Sequence, residues 1–373
     1  MADKGKELFS TEKRYFIYGA GDVAREVLYC LKEEPFNLKI EAHIVSDTDI
    51  DKRKKIDGIP VISCDDLKYS DDMQVIVAVL EKYRDEICAR LSRIGVKNPI
   101  LMTFESDLWC EERGKTYALY RQKWEKTPYI LLQNGFFHSS KRNRRRKSLM
   151  IYVAKSHMDK PLKENVSNHE WEKDIQVGAA LTEMKIADVT DYSGDHISEK
   201  NRRYCELTAQ YWIWKNACAE YVGLCHYRRR FALRKEDVDN LVCSCVDVVV
   251  TNPIVNIPDV LTMYGKNHIL NDWEIMKDGI RKLCGEYLKS LEYVERSRYY
   301  IPYNMFIMKK NVLNQYCEWL FPILEYCDVM CEPRNDSYQE RYIGFLAERL
   351  LTVYLYHHRE TLLVVFSLKH FCE

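Results

Sequence analysis

Two α/β domains are expected from this sequence, and three observations predict them. The chain has 373 residues, more than one hydrophobic core usually serves. Near its start a strand-like run turns on two glycines into an apolar-faced helix, and short apolar runs then alternate with a helical stretch. Further along, Glu220-Tyr-Val-Gly-Leu-Cys-His-Tyr-Arg-Arg-Arg-Phe231 opens as a buried strand and ends in an imidazole and three guanidinium groups. A buried strand uses Tyr221, Val222 and Leu224 but has no use for His226, Arg228 and Arg229 at its tip. In an open α/β sheet the strand tip is where ligands sit. The competing reading is a basic edge on an ordinary loop.

Composition narrows the function classes. The net charge is zero, so no global field attracts nucleic acid or acidic ligands, and no nucleic-acid partner is expected. The 26 Tyr and 7 Trp suit clefts that pack sugar C–H faces, and equally suit a core. The 14 Cys are scattered, without a CxxC pair, which points to a reducing compartment rather than a disulfide framework. Met1-Ala-Asp-Lys-Gly-Lys6 is too polar for an export signal, and no window approaches the roughly 20 apolar residues of a membrane span. A soluble cytoplasmic protein is expected, with peripheral contact at the inner face of the membrane left open.

In the first domain, residues 11–105, Arg14-Tyr-Phe-Ile-Tyr-Gly-Ala-Gly-Asp-Val-Ala-Arg-Glu-Val27 reads as strand, tight turn and helix. Gly19 and Gly21 remove Cβ atoms where the backbone turns, and Ala24 lets helix and strand approach. This is the content of a GxGxxA dinucleotide fingerprint. Asp47, after the strand Ile40–Val45, stands where a ribose-binding carboxylate belongs. Strands at 58–62, 74–79 and 98–101 and a helix at 81–94 complete a Rossmann-like parallel sheet. Either the turn binds a nucleotide or its glycines merely build the turn. The unit resembles the N-terminal nucleotide-binding-like domain of sugar O-acyltransferases.

Residues 106–147 are expected to form a helical and basic linker. Trp109–Trp124 has helical character, and Lys141-Arg-Asn-Arg-Arg-Arg-Lys147 is a basic run, read as a solvated linker or as a contact to anionic lipid.

The second domain, residues 148–373, starts with the strand Ser148–Ala154 and a polar loop containing His157. A turn-rich segment with Asp195 and Ser198 leads into a helix whose Tyr204, Leu207, Tyr211 and Trp214 make an aromatic stripe. The string YVGLCHYRRRF at 221–231, with ISEKNRRYCELTAQYWIWKN at 197–216, resembles the signature of a bacterial polysaccharide-biosynthesis glycosyltransferase family, domain of unknown function 4422. The resemblance runs from about Met150 to near Val365. It implies a GT-A-like α/β glycosyltransferase domain behind the Rossmann-like one. The implied donor is a UDP-sugar, such as UDP-galactose or its furanose form. The implied acceptor is a hydroxyl of a capsular, O-antigen or exopolysaccharide glycan, free or polyprenyl-linked. By the same resemblance, His157, Asp195, Lys200 and Asn201 serve the donor, and His268, Asp272, Asn304 and Arg341 the acceptor. Tyr264–Trp273 reads as a polar, aromatic loop, and for Asp272 helix capping is the competing reading.

GT-A enzymes usually end the corresponding strand in Asp-x-Asp, whose carboxylates hold a divalent metal. Here His226-Tyr-Arg228 stands in that place. Cations cannot ligate a metal, but His226, Arg228 and Arg229 can stabilise a leaving diphosphate directly. No cofactor is therefore expected, and a His-ligated Mn²⁺ or Mg²⁺ is the competing reading. Arg341, Gly344 and Glu348 share a helical face, making Glu348 the candidate general base, with a structural salt bridge as the alternative. A non-catalytic nucleotide-sugar-binding or scaffold protein is the alternative from another class.

Overall fold

The computed structural model describes residues 8–46, 55–135, 145–164 and 166–373, and the chain divides between Glu125 and Lys126 into two units. In the first, β1 (Arg14–Tyr18), β2 (Ile40–Val45), β3 (Lys55–Ile56), β4 (Ile59–Ser63), β5 (Met73–Val77) and β6 (Ile100–Leu101) form one sheet. Their order is β3-β4-β2-β1-β5-β6, parallel throughout except for the β3–β4 hairpin. The order runs outward on both sides of β1, as in doubly wound sheets. Burial explains why these runs pair: Phe16, Tyr18, Ile44, Val75 and Val77 form one core cluster, each apolar side chain stabilising the fold by about 1.5–3 kcal/mol. Gly19 is required by space. A Cβ there would lie 2.4 Å from the Ala78 carbonyl oxygen, and its φ is +133°. Ala24, fully buried, faces the same turn.

The expected linker begins instead with a packed helix, Asp107–Tyr120. Ser106 caps it by accepting from the Trp109 N–H at 3.2 Å. It buries Trp109, Arg113 and Tyr117 and packs on the helix Asp22–Lys32. Burial pushes the Glu26 carboxyl up to about 8, with Arg113 partly opposing the rise. Its helical character was expected; its packing was not, because an Arg and a Glu stand among its apolar contacts.

The second unit is built on β7 (Leu149–Lys155), β8 (Glu172–Gln176), β9 (Val189–Thr190), β10 (Tyr221–His226), β11 (Arg229–Phe231) and β12 (Val248–Thr251). The later strands are β13 (Ile254–Val255), β14 (Tyr299–Tyr300), β15 (Phe306–Lys309), β16 (Val364–Ser367) and β17 (Lys369–Phe371). Seven of them make a sheet in the order β16-β12-β15-β10-β7-β8-β9, in which β15 alone runs against the rest. Tyr221, Val222, Leu224 and Cys225 of β10 are fully buried. Gly223 lets β10 sit between its neighbours, since a Cβ would lie 3.0 Å from the Phe306 carbonyl and 3.1 Å from Ile151 Cγ1. The α/β class expected for both units is what the fold shows.

One local expectation fails. The segment around Tyr264–Trp273, expected as a loop, forms the helices Val260–Asn267 and Leu270–Leu283, the first capped by Asp259, which accepts from the Thr262 N–H at 2.7 Å. Of the basic run, Lys141–Arg144 lies outside the described residues. The rest pairs within the second unit while Arg145 and Arg146 stay largely solvated: Arg145 pairs with Glu220, Arg146 with Asp239 at 2.7 Å, and Lys147 Nζ donates to the Ser244 carbonyl at 2.7 Å. Among the described residues no helix is long and apolar enough to cross a membrane.

Candidate functional site

Three neighbouring parallel strands deliver a cleft of about 880 Å³. β10 ends at His226 in register with Ala154 of β7, so the chains leaving both strands run side by side, and β8 ends next to them. The segments just past these strands line the cleft together with residues from Asn201 to Glu206 and from Ser337 to Arg341. This is the carboxyl edge of the sheet, where the sequence placed a ligand.

The strand tip opens onto this cleft. His226, Arg228 and Arg229 all line the cleft, with His157 and Arg341. His226 Nε2 lies 2.6 Å from the Tyr303 carbonyl oxygen; that oxygen only accepts, so Nε2 carries the proton. The Arg228 guanidinium lies 5.3 Å from the Tyr227 ring centroid, and its buried Nε has no hydrogen-bond partner. Arg229 lies over the Tyr303 ring at 4.6 Å and the Phe371 ring at 5.7 Å. Strand alternation turns Arg230 away, into a buried pair with Glu172 at 2.9 Å. His157 contributes a buried Nδ1 without a partner. Arg341 donates from Nε to Cys205 Sγ at 3.2 Å. Burial raises the Cys205 thiol to about 12, which keeps it protonated.

Backbone strain concentrates here. Cys205, Tyr303 and Asn304 hold φ of 52°, 75° and 51°, a region that side-chain-bearing residues rarely occupy and that costs about 1–3 kcal/mol each. The strained pair Tyr303-Asn304 reaches three titratable side chains. Its carbonyl takes His226, the Tyr303 N–H donates to Glu348 Oε1 at 3.1 Å, and Asn304 Nδ2 donates to Glu206 Oε1 at 2.7 Å. Glu206 and Asp159 line the cleft, and sequence reasoning missed both. Asp159 Oδ2 accepts from the Ser156 N–H at 2.7 Å; burial raises its pKa while Arg228 and other nearby cations oppose. Glu206 was findable as the one carboxylate between Cys205 and the apolar start of the next helix.

Asn201 lines the cleft, fixed by bonds from Nδ2 to the Cys205 carbonyl at 2.7 Å and to Thr208 Oγ1 at 3.2 Å. The other predicted residues are placed elsewhere. Asp195 is exposed and accepts from the Tyr211 hydroxyl at 3.1 Å. Lys200 pairs with Asp328 at 3.7 Å and sits over the Tyr204 ring at 5.3 Å. His268 stacks on Phe345 at 4.0 Å, and burial drives its pKa down to about 3, so it is a neutral packing group. Asp272, 1% exposed, pairs with Arg334. Asn304 is buried and serves Glu206 and the Gly344 carbonyl. Glu348 is not among the residues lining the cleft, and its second oxygen accepts from Arg349 at 2.8 Å, the salt bridge named as the alternative. Burial raises its pKa, Arg349 opposing. In the first unit, Gly21 precedes the helix Asp22–Lys32 without a side-chain cap, and Asp22 puts a carboxylate in the first turn, where a phosphate would be repelled. Asp47 lies outside the described residues. Among the described residues no group of three or more His, Cys, Asp or Glu could hold a metal ion.

Fold and cleft together define an α/β protein with a cation-lined cleft at the carboxyl edge of a mostly parallel sheet. The chain belongs to the family described as Domain of unknown function (DUF4422), which matches residues 151–359. Residues 11–101 match a second description, C2185-like, N-terminal. The solved apo structure of the WbbM bifunctional glycosyltransferase is similar over 60% of this chain, at 27% identity and a TM-score of 0.51. The match spans 45% of that protein, so this chain corresponds to less than half of its length. No curated protein matches the sequence.

Proposed function

We propose that this chain is a glycosyltransferase of polysaccharide assembly, moving a sugar from a nucleoside-diphosphate donor, a UDP-sugar, to a hydroxyl of a growing glycan. The observation that carries this reading is the convergence of Arg228, Arg229 and Arg341 with His157 and His226 on one cleft at three strand tips. The family match and the likeness to a bifunctional glycosyltransferase support it. A cleft of about 880 Å³ is in the range that holds a ligand of nucleotide-sugar size.

In this mechanism the glycosidic C–O bond breaks with its electron pair leaving on the diphosphate. Charge grows on phosphate oxygens, and preformed donors aimed there stabilise the transition state more than the ground state. Arg228 and Arg229 present planar forks that match two phosphate oxygens. The unpartnered Nε of Arg228 and Nδ1 of His157 are polar groups already stripped of water. A ligand oxygen would relieve that cost. The arginines thereby take the electrostatic role that a divalent ion fills in Asp-x-Asp enzymes. Asn201 borders the donor, and Glu348 supports the cleft through Tyr303 rather than by touching substrate.

Incubating the protein with UDP-, GDP-, CMP- and dTDP-sugars and oligosaccharide acceptors, with mass spectrometry of the products, tests the proposal. Transfer of one hexose from a UDP-sugar is expected, in EDTA as well as in manganese. Binding without transfer or hydrolysis across the panel would leave a nucleotide-sugar-binding protein instead.

A further inference from the structure

Two carboxylates stand at the strained turn behind the cleft, and their hydrogen bonding differs in a way that separates their roles. Glu348 is spent: Oε1 accepts from the Tyr303 N–H and Oε2 from Arg349. Glu206 lines the cleft. Its Oε1 accepts from Asn304 Nδ2 at 2.7 Å, and its Oε2 has no partner among the described residues. A carboxylate held by one oxygen and open at the other is oriented yet able to take a proton.

The backbone around it carries the second argument. Cys205, immediately before Glu206, has φ 52° and ψ −129°, and Asn304, which grips Glu206, has φ 51°. A packed core helix needs neither distortion. Strain kept on both sides of one hydrogen bond marks that bond as the thing being positioned. The Asn304 side chain is held a second time, because Nδ2 also donates to the Gly344 carbonyl at 3.3 Å. The Glu206 carboxylate is thus fixed from the turn at 303–304, while Arg341 and the cation tip of β10 share its cleft.

The geometry points to Glu206 as the general base of the transfer, with Asn304 as the residue that positions it; the inference rests on the glycosyltransferase reading. The acceptor hydroxyl oxygen forms the new bond to the anomeric carbon as the bond from that carbon to the diphosphate oxygen breaks. The hydroxyl proton passes to the open oxygen of Glu206, and the electron pair of the broken bond leaves on the diphosphate among the arginines. The charged and titratable groups that face Glu206 are Arg341, the Cys205 thiol and Glu348, with His226 beyond Glu348.

The test uses the full chain and the UDP-sugar that the wild type turns over. Glu206→Gln keeps an oxygen for Asn304 and removes the base. It should lower kcat at least 100-fold, leave the Kd for UDP within threefold and keep the Tm. It should also abolish the acidic limb of the wild-type kcat/KM pH profile. Asn304→Ser should lower kcat by a smaller factor and shift that limb without abolishing it. Wild-type turnover with Glu206→Gln within threefold of it would overturn the assignment. So would a Glu206→Gln loss accompanied by equal loss of UDP affinity, which would make the residue structural. A covalent glycosyl adduct on Glu206, seen by mass spectrometry of the intact protein, would replace the base with a nucleophile. If the wild type itself transfers nothing from any donor, the glycosyltransferase reading fails first, and this inference with it.

Discussion

Replacing Arg228 by Met isolates the leaving-group electrostatics. The side chain lines the cleft, and its Nε is buried without a partner, so its hydrogen-bonding capacity is held for a ligand. A charge-assisted hydrogen bond contributes about 1.5–3 kcal/mol. At about 1.36 kcal/mol per decade of rate, losing one costs roughly 10- to 150-fold in kcat/KM. Stability should move little. Met retains the apolar stem and removes a desolvated donor, while the Asp159 carboxyl, already raised by burial, loses one of the cations that oppose the rise. The Tm should stay within about 2 °C, less than the shift that about 1 kcal/mol produces in a unit of this size. Arg228→Lys keeps the charge but not the fork and should fall between wild type and Met. Steady-state kinetics with the active donor, beside a thermal melt, read all three proteins. A kcat/KM for Arg228→Met within threefold of wild type would refute the reasoning. So would a Tm drop large enough to explain the lost activity.

Gly178→Ala should cost about 1–3 kcal/mol of stability and weaken UDP binding. Its φ is +64°, and the new Cβ would lie 2.6 Å from Asn201 Oδ1 at the cleft; denaturant melts and calorimetry check both effects. His268 has its pKa driven down to about 3 by burial, below an unfolded value near 6.5. Its contribution is therefore present above pH 6.5 and lost as pH falls towards 3. His268→Phe, which keeps the stack on Phe345, should flatten the fall in Tm between pH 6.5 and 4.5, and an unchanged slope would contradict this. Arg334→Ala leaves the Asp272 carboxylate buried and unpaired and should destabilise by about 3–5 kcal/mol. Its UDP affinity at low temperature should match wild type.

What could be read from the sequence was whatever local pattern determines. β1 and its turn were legible because Gly19 meets a carbonyl that no side chain tolerates, and β10 because five buried residues end abruptly in charge. The strand tip then carried His226, Arg228 and Arg229 to the cleft, as a parallel sheet requires. What failed depended on distant partners. Asp195 and Lys200 sit in the same motif as Asn201, but Tyr211 and Asp328 draw them to other faces. Asp272 looked like a polar ligand because Arg334, its partner, lies 62 residues away. Glu348 was placed on the right helix, yet which of two carboxylates keeps a free oxygen depends on Tyr303, Asn304 and Arg349. The helix Asp107–Tyr120 was taken for linker because its buried Arg113 and its neighbour Glu26 read as solvated charge.

The central claim is that arginines, not a metal, hold a nucleoside diphosphate in the cleft of the second unit. Thermal stabilisation by UDP-, GDP-, CMP- and dTDP-sugars, each with manganese and with EDTA, tests it most directly. A ligand at 100 times its dissociation constant stabilises the fold by about 2.7 kcal/mol. The account predicts a shift with UDP-sugars that survives EDTA and disappears in Arg228→Met. A shift that requires manganese, or one that persists unchanged in Arg228→Met, would contradict it.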